Sequence, residues 1–203
     1  MSWFAKAIWA GHLKVMNSIK QSINTKKMQK IDIDKCKLTF WPADVLKKPA
    51  EPVEEINENI RSFVSKMIEI MIESKGIGLA APQAGVGLNI FVVSLEGTAE
   101  DARVFINPEL KPFGKTTAMQ EGCLSFPGMY PTIRRPSHVK VTALDVEGNE
   151  FTEEADGLYA KCLQHEYDHL QGTTIAQRMG KLGRIKFRDR LNELEEKYGG
   201  DAQ

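Results

Sequence analysis

The chain has 203 residues with Lys+Arg and Asp+Glu both at 27, so no global charge favours nucleic acid or an anionic surface, and any asymmetry must be local. Hydrophobic residues make up 42% and charged residues 27%, with no apolar run near the about eighteen residues that span a bilayer, which excludes a membrane span and indicates a soluble globular protein. The length suits one domain with appendages, and the three cysteines Cys36, Cys123 and Cys162 are too few and scattered for a disulfide framework, which favours a reducing compartment where a thiolate is free to bind metal.

From Met1 to Ile31 there are six lysines and no acidic residue, with Phe4, Ile8, Val15, Ile19 and Ile23 near one helical face. Two readings stand level: a targeting presequence, although it has no arginine, or a start codon placed too far upstream, with Met16 and Met28 as later candidates. No uninterrupted apolar segment supports a secretory signal, and His12 reads as a helix-face residue. Cys36 reads as an ordinary thiol before Leu38–Pro52, where Pro42, Pro49 and Pro52 forbid a long helix and predict an extended, turn-rich entry.

Glu54 and Glu55 are expected in the first turn of a core helix whose apolar residues run from Ile56 to Ile72 and which Gly76 stops. Gly76-Ile77-Gly78-Leu79-Ala80-Ala81-Pro82-Gln83 surrounds one amide with small residues, so backbone can approach a ligand closely while Gln83 aims its donors at one spot. Strands are expected at Asn89–Leu95, at Arg103–Ile106 ending on Asn107-Pro108, and at an edge over Thr116–Met119. Beyond Cys123 prolines and glycines forbid regular structure and leave its sulfur on a bent, fixed loop. His138–Asp145 and Glu150–Glu154 read as a hairpin, with His138 a polar edge residue.

Asp156-Gly157 opens a helix that Gly172 closes, carrying Gln164-His165-Glu166-Tyr167-Asp168-His169. Two histidines at i and i+4 share a helix face and can grip one divalent metal, and Glu166 can reach a water there, which proposes metal-assisted hydrolysis. The third ligand is open. An endopeptidase with the longer signature needs a histidine where this chain has Ile175; one with a downstream glutamate, roughly twenty or more residues on, has Glu193 available. Cys123 competes from upstream as a thiolate leaving an open fourth position, while Cys162, on the same helix as the histidines, reads as packing. The last stretch, Lys181–Tyr198, is amphipathic through Leu182, Ile185, Leu191, Leu194 and Tyr198, with Lys181, Arg184, Lys186, Arg188 and Arg190 in its first half.

Three stretches, Gly76–Gln83, Glu121-Gly122-Cys123-Leu124-Ser125 and Gln164–His169, match in order the signature motifs of peptide deformylases, and the resemblance runs from about Leu38 to about Thr174. It implies an α+β fold with small antiparallel sheets packed around a central metal-bearing helix. Residues 37–178 are then the catalytic domain, after a lysine-rich extension at 1–36 and before a C-terminal helix and tail at 179–203. The implied reaction removes the formyl group from the N-terminal formyl-methionine of nascent peptides and releases formate. Cys123, His165 and His169 would hold the metal, Fe2+ by the family's habit with Zn2+, Ni2+ or Co2+ able to substitute. Glu166 would be the general base on water bound there, and Gln83 with the Leu124 N–H would hold the oxyanion. Ile77, Met119, Leu158 and the apolar side of the metal helix would line a methionine pocket, with Gly78 and Gly122 admitting the small formyl group.

Glu121 pairs with Arg135 or is simply an exposed acid. Phe126-Pro127-Gly128-Met129-Tyr130 looks closer to the organellar and related bacterial branch. The expected location is cytoplasmic, or an organelle if the leader is a transit peptide. The basic C-terminal helix suits docking on ribosomal RNA, and no membrane or DNA partner is expected. The competing functions are a zinc endopeptidase using Glu193 and a catalytically idle, metal-stabilised binding module.

Overall fold

A computed structural model describes residues 30–201, so residues 1–29 of the lysine-rich leader, with His12, Met16 and Met28, lie outside the described residues. The first α-helix among the described residues, α1 (Glu58–Glu73), begins where Asn57 caps it: the Asn57 side chain accepts from the Ile60 N–H at 3.1 Å. Glu54 and Glu55 therefore precede the helix instead of filling its first turn, because a short amide in extended backbone satisfies an orphan N–H that they do not reach. Ile60, Phe63, Val64, Met67, Ile70 and Met71 form its buried stripe, so its methionines are core packing. The helix ends at Ser74, ahead of Gly76, with Lys75 turning the chain at φ 56°.

Among the described residues the strands form one five-stranded antiparallel sheet in chain order, packed with helices in the expected α+β manner: β1 (Gly78–Ala80), β2 (Ile90–Val93), β3 (Arg103–Gln120), β4 (Thr132–Leu144) and β5 (Glu150–Asp156). What unifies them is that Asn107-Pro108 does not end β3. Asn107 takes φ 50° at a register shift, so Pro108 passes where no ladder N–H is needed, and pairing resumes at Glu109↔Thr142. The Asn107 amide stands in for a strand partner, accepting from Val53 N at 2.9 Å and donating to Val53 O at 2.8 Å. A second shift between Phe113 and Thr116 absorbs Pro136, so β4 starts at Thr132, well before His138. His138 lies on a central strand, not an edge, though its exposed ring stacks on Phe113.

Helix α2 (Gly157–Leu170) leaves β5 directly: Asp156 is extended and Gly157, at φ 56°, makes the turn. Its Ala160, Cys162, Leu163 and Leu170 pack on Phe91, Phe105, Val139 and Val141 of the sheet. Gly172 permits a close crossing by the proline-rich entry, since a Cβ there would lie 2.8 Å from the Lys48 carbonyl carbon. Beyond come α3 (Ile175–Arg178), α4 (Gly180–Lys186) and α5 (Arg188–Tyr198); the expected continuous helix is broken at Phe187. Ile175, Ala176, Met179 and Leu194 share a core with Phe126, Met129 and Ile133, whereas Leu182 and Ile185, expected on the packed face, are 84% and 69% exposed. Among the described residues no helix is long and apolar enough to cross a membrane.

Candidate metal centre

His165 and His169 lie one turn apart on α2, with ring centroids 5.1 Å apart, and both are buried. Cys123 comes to them on the loop joining β3 to β4. Glu121 N–H to Pro131 O at 3.0 Å, Phe126 N–H to Cys123 O at 2.9 Å and Met129 N–H to Phe126 O at 3.2 Å hold that loop in shape. Cys123 Sγ lies 3.3 Å from His169 Nε2, and the three donor atoms are all within 4.8 Å of one another. Metal–ligand bonds of about 2.0–2.3 Å place tetrahedral ligands about 3.3–3.7 Å apart, so one thiolate and two imidazoles here fit a divalent ion after a small closure. Burial, then the positive neighbours His165 and Arg135, hold His169 well below the usual imidazole range, leaving it neutral and ready to ligate.

The rival ligands are elsewhere. Glu193 is on α5, its side chain 61% exposed and paired with Arg190 at 2.6 Å. Cys162 points its Sγ at Ile77 O, 3.5 Å away, and burial together with the Glu166 carboxylate pushes its thiol well up, so it stays protonated.

A row of buried ions orients His165. Its Nδ1 lies 3.1 Å from Glu121 Oε2, which leaves Nε2 for a metal. Arg135 forks Glu121 at 2.7 and 2.9 Å and extends to Asp168 Oδ2 at 2.7 Å. Asp168 in turn accepts two bonds from Arg178 of α3, one from Nε at 2.8 Å and one from the terminal NH2. Burial opposes ionising Glu121, but the His165 and Arg135 bonds and the Arg135 charge outweigh it and hold the carboxyl at about 2. Burial likewise opposes a proton on His165, while contact with Cys123 and Glu121 favours it and wins. Glu121 is thus a buried partner of Arg135 and not an exposed acid. Asp168 and Arg178 escaped the sequence reading; the one available signal was an acid inside the motif at i+3 from His165.

Gln83, Leu124, Cys123, His165 and Glu166 all line one cavity of about 620 Å³, and so do Ile77, Gly78, Met119, Gly122 and Leu158. Gln83 is buried and pinned: its Oε1 accepts from Ala80 N at 2.8 Å, and its Nε2 faces Cys123 Sγ at 3.5 Å and Ser125 Oγ at 3.3 Å. Glu166 is buried, with Oε2 lacking any protein partner; burial pushes its carboxyl up to about 7 against the opposing pull of His165 and Arg135. Gly78, Leu79 and Ala80 form strand β1. A Cβ on Gly78 would lie 2.5 Å from Glu166 Oε1, so this glycine makes room for the carboxylate. The cavity stripe of α2 is Leu158, Lys161, Cys162, His165 and Glu166, so the side expected to be apolar carries a lysine. Its ammonium is turned away onto Thr117 Oγ1 at 2.6 Å and Arg135 O at 2.8 Å.

The family model for polypeptide deformylase matches residues 35–184. A peptide deformylase of Neisseria meningitidis is 47% identical over 148 residues, which is 72% of this chain and 89% of that one. Among solved structures, a Plasmodium falciparum peptide deformylase superposes with a TM-score of 0.78 at 35% identity, covering 82% of this chain and 99% of its own. A Legionella pneumophila peptide deformylase gives 0.75 at 37% identity, covering 79% and 95%.

Proposed function

The chain belongs to the polypeptide deformylase family, and on that premise we propose which of its residues carry the reaction. The enzyme hydrolyses the formamide at the N-terminal formyl-methionine of newly made proteins and releases formate. Cys123, His165 and His169 would hold one divalent metal, since their donor atoms lie within 4.8 Å of one another. The proposed ion is Fe2+, with Zn2+, Ni2+ or Co2+ as substitutes, since a thiolate and two imidazoles suit each. When bound it supplies Lewis-acid polarisation and a lower pKa for the attacking water.

The chain's own groups do the rest. Glu166 faces the cavity with an open carboxylate oxygen beside the two histidines; it takes the proton from the attacking water and returns it to the amine as the formyl C–N bond breaks. Gln83, fixed by Ala80 and Ser125, and the Leu124 N–H stabilise the oxyanion that forms on the formyl oxygen. Ile77, Met119 and Leu158 receive the methionine side chain. An apolar wall discriminates among similar side chains by only about 1–3 kcal/mol, so requiring the formyl group supplies most of the selectivity.

The observation that carries this reading is the convergence of the Cys123, His165 and His169 donor atoms to within 4.8 Å of one another, with Cys123 and His165 lining the same cavity as Glu166 and Gln83. The endopeptidase alternative fails because its ligand, Glu193, is held by Arg190 on the surface. The test is formate release from a formyl-methionyl peptide by anaerobically purified protein with its metal quantified; stoichiometric metal without formate would refute the assignment and leave a binding module.

The basic side chains of α4 and the start of α5 support docking on ribosomal RNA. Arg190 is not among them, since it donates to Pro127 O at 3.0 and 2.8 Å. Neutralising Arg184, Lys186 and Arg188 should reduce ribosome co-sedimentation at low salt, and unchanged sedimentation would sink this docking. The proposed location is the cytoplasm, with an organelle if residues 1–36 act as a transit peptide, which their fusion to a fluorescent reporter would reveal.

A further inference from the structure

Arg178 stands outside the cavity, on the short helix that follows the metal helix, and its side chain is 48% exposed. Yet it is the outer end of an unbroken series of charged contacts that ends on a metal-binding ring. Arg178 holds Asp168, Asp168 holds Arg135, Arg135 forks Glu121, and Glu121 accepts from His165 Nδ1. Building on the metal site assigned above, we propose that Arg178 is a positioning residue for the metal, acting through Asp168, Arg135 and Glu121 on the imidazole of His165.

The reason lies in how the acceptor oxygens are shared. Asp168 Oδ1 is taken by Arg178, and Oδ2 serves Arg178 and Arg135 together, so Asp168 claims only one nitrogen of Arg135. The other two donors of that guanidinium are left for Glu121, at 2.7 and 2.9 Å. Glu121 and Asp168 are buried and share the buried Arg135, while Arg178 closes the group from its half-exposed side. Without Arg178, Asp168 Oδ1 loses its partner and the two carboxylates compete for the one guanidinium of Arg135. Arg135 is the nearest cation, and Asp168 then draws its guanidinium away from Glu121. Glu121 loses a bond that fixes its carboxylate, and the Nδ1 acceptor that orients His165 loosens. Partners one shell out from a metal typically change affinity by about 10–100-fold. Arg178 acts through three intermediaries, Asp168, Arg135 and Glu121, and belongs at the lower end, about tenfold.

The test compares the full chain with Arg178→Met, Arg178→Lys and, as a charge-loss control on an exposed α5 residue, Lys197→Met. Co2+ affinity is measured by chelator competition, and the visible spectrum of the Co2+ form reports the ligand field at the histidines. Arg178→Met should bind Co2+ about tenfold more weakly with a shifted spectrum, Arg178→Lys should recover part of both, and Lys197→Met should match the parent. An Arg178→Met protein that keeps parental affinity and spectrum overturns the role, as does one whose loss is reproduced by Lys197→Met. A lowered melting temperature with unchanged spectrum also overturns it, because Arg178 would then only brace the fold. If the parent chain itself binds no Co2+, the metal site fails, and this inference with it; a parent that binds Co2+ but releases no formate removes the enzyme assignment alone.

Discussion

Replacing Gly78 with Ala should disable catalysis while leaving the metal bound. An added Cβ would sit 2.5 Å from Glu166 Oε1, 2.9 Å from its carboxyl carbon and 2.9 Å from Cys162 Sγ. Neither side yields freely. Gly78 is paired with Val93 in β1, and Glu166 and Cys162 are buried on α2, which packs on the sheet. For the carboxylate oxygen to reach the 3.4 Å at which ordinary contact begins, it must retreat by about 0.9 Å. A misplacement of about 1 Å in a reacting group can cost about a hundredfold in rate, and overpacking of this kind costs about 1–3 kcal/mol of stability. The expected Gly78→Ala enzyme therefore has kcat for formate release down about a hundredfold, parental metal stoichiometry, and a melting temperature lowered by several degrees. Gly122→Ala is the contrast. Its Cβ would meet the Tyr130 ring at 2.9 Å, but that ring is 61% exposed and can swing away, so kcat should change little. A Gly78→Ala enzyme with parental kcat, or a Gly122→Ala enzyme equally impaired, would refute the claim that the glycine in β1 exists to seat Glu166.

Other outcomes follow from the same geometry. Glu166→Gln should keep the metal and lose about 100- to 10,000-fold in kcat, measured with metal content in the same sample. Cys123→Ala should lose stoichiometric metal, whereas Glu193→Ala, which removes only an exposed pair worth about 0–1 kcal/mol, should retain both metal and activity. Asn107→Ala removes both bonds to Val53 and puts alanine at φ 50°; denaturant unfolding should show a loss of about 2–4 kcal/mol with kcat per folded enzyme unchanged.

The reactive groups were legible because their spacing is local. Two histidines at i and i+4 share a helix face whatever the rest of the chain does, and glycines and prolines around Cys123 rule out helix or strand there. Boundaries were less so. Asn57 outcompeted Glu54 and Glu55 as the start of α1, and β3 ran through Asn107-Pro108, because the side chain that rescues the bulge finds its partner at Val53, far away in sequence. The break at Phe187 likewise has no local glycine or proline to announce it.

The sequence by itself determined the helix that carries the two histidines, the candidate base beside them, and the motifs by which the chain resembles its family; all are short-range patterns of residue type. Only the tertiary structure separates Cys123 from Glu193 as candidate third ligand, because that depends on which loop the fold brings within 4.8 Å of the histidines. Only it showed Gly78 facing Glu166, and the ions from Arg178 inward ending on His165. These are contacts between elements distant along the chain, and their existence is set by packing, which no window of sequence contains.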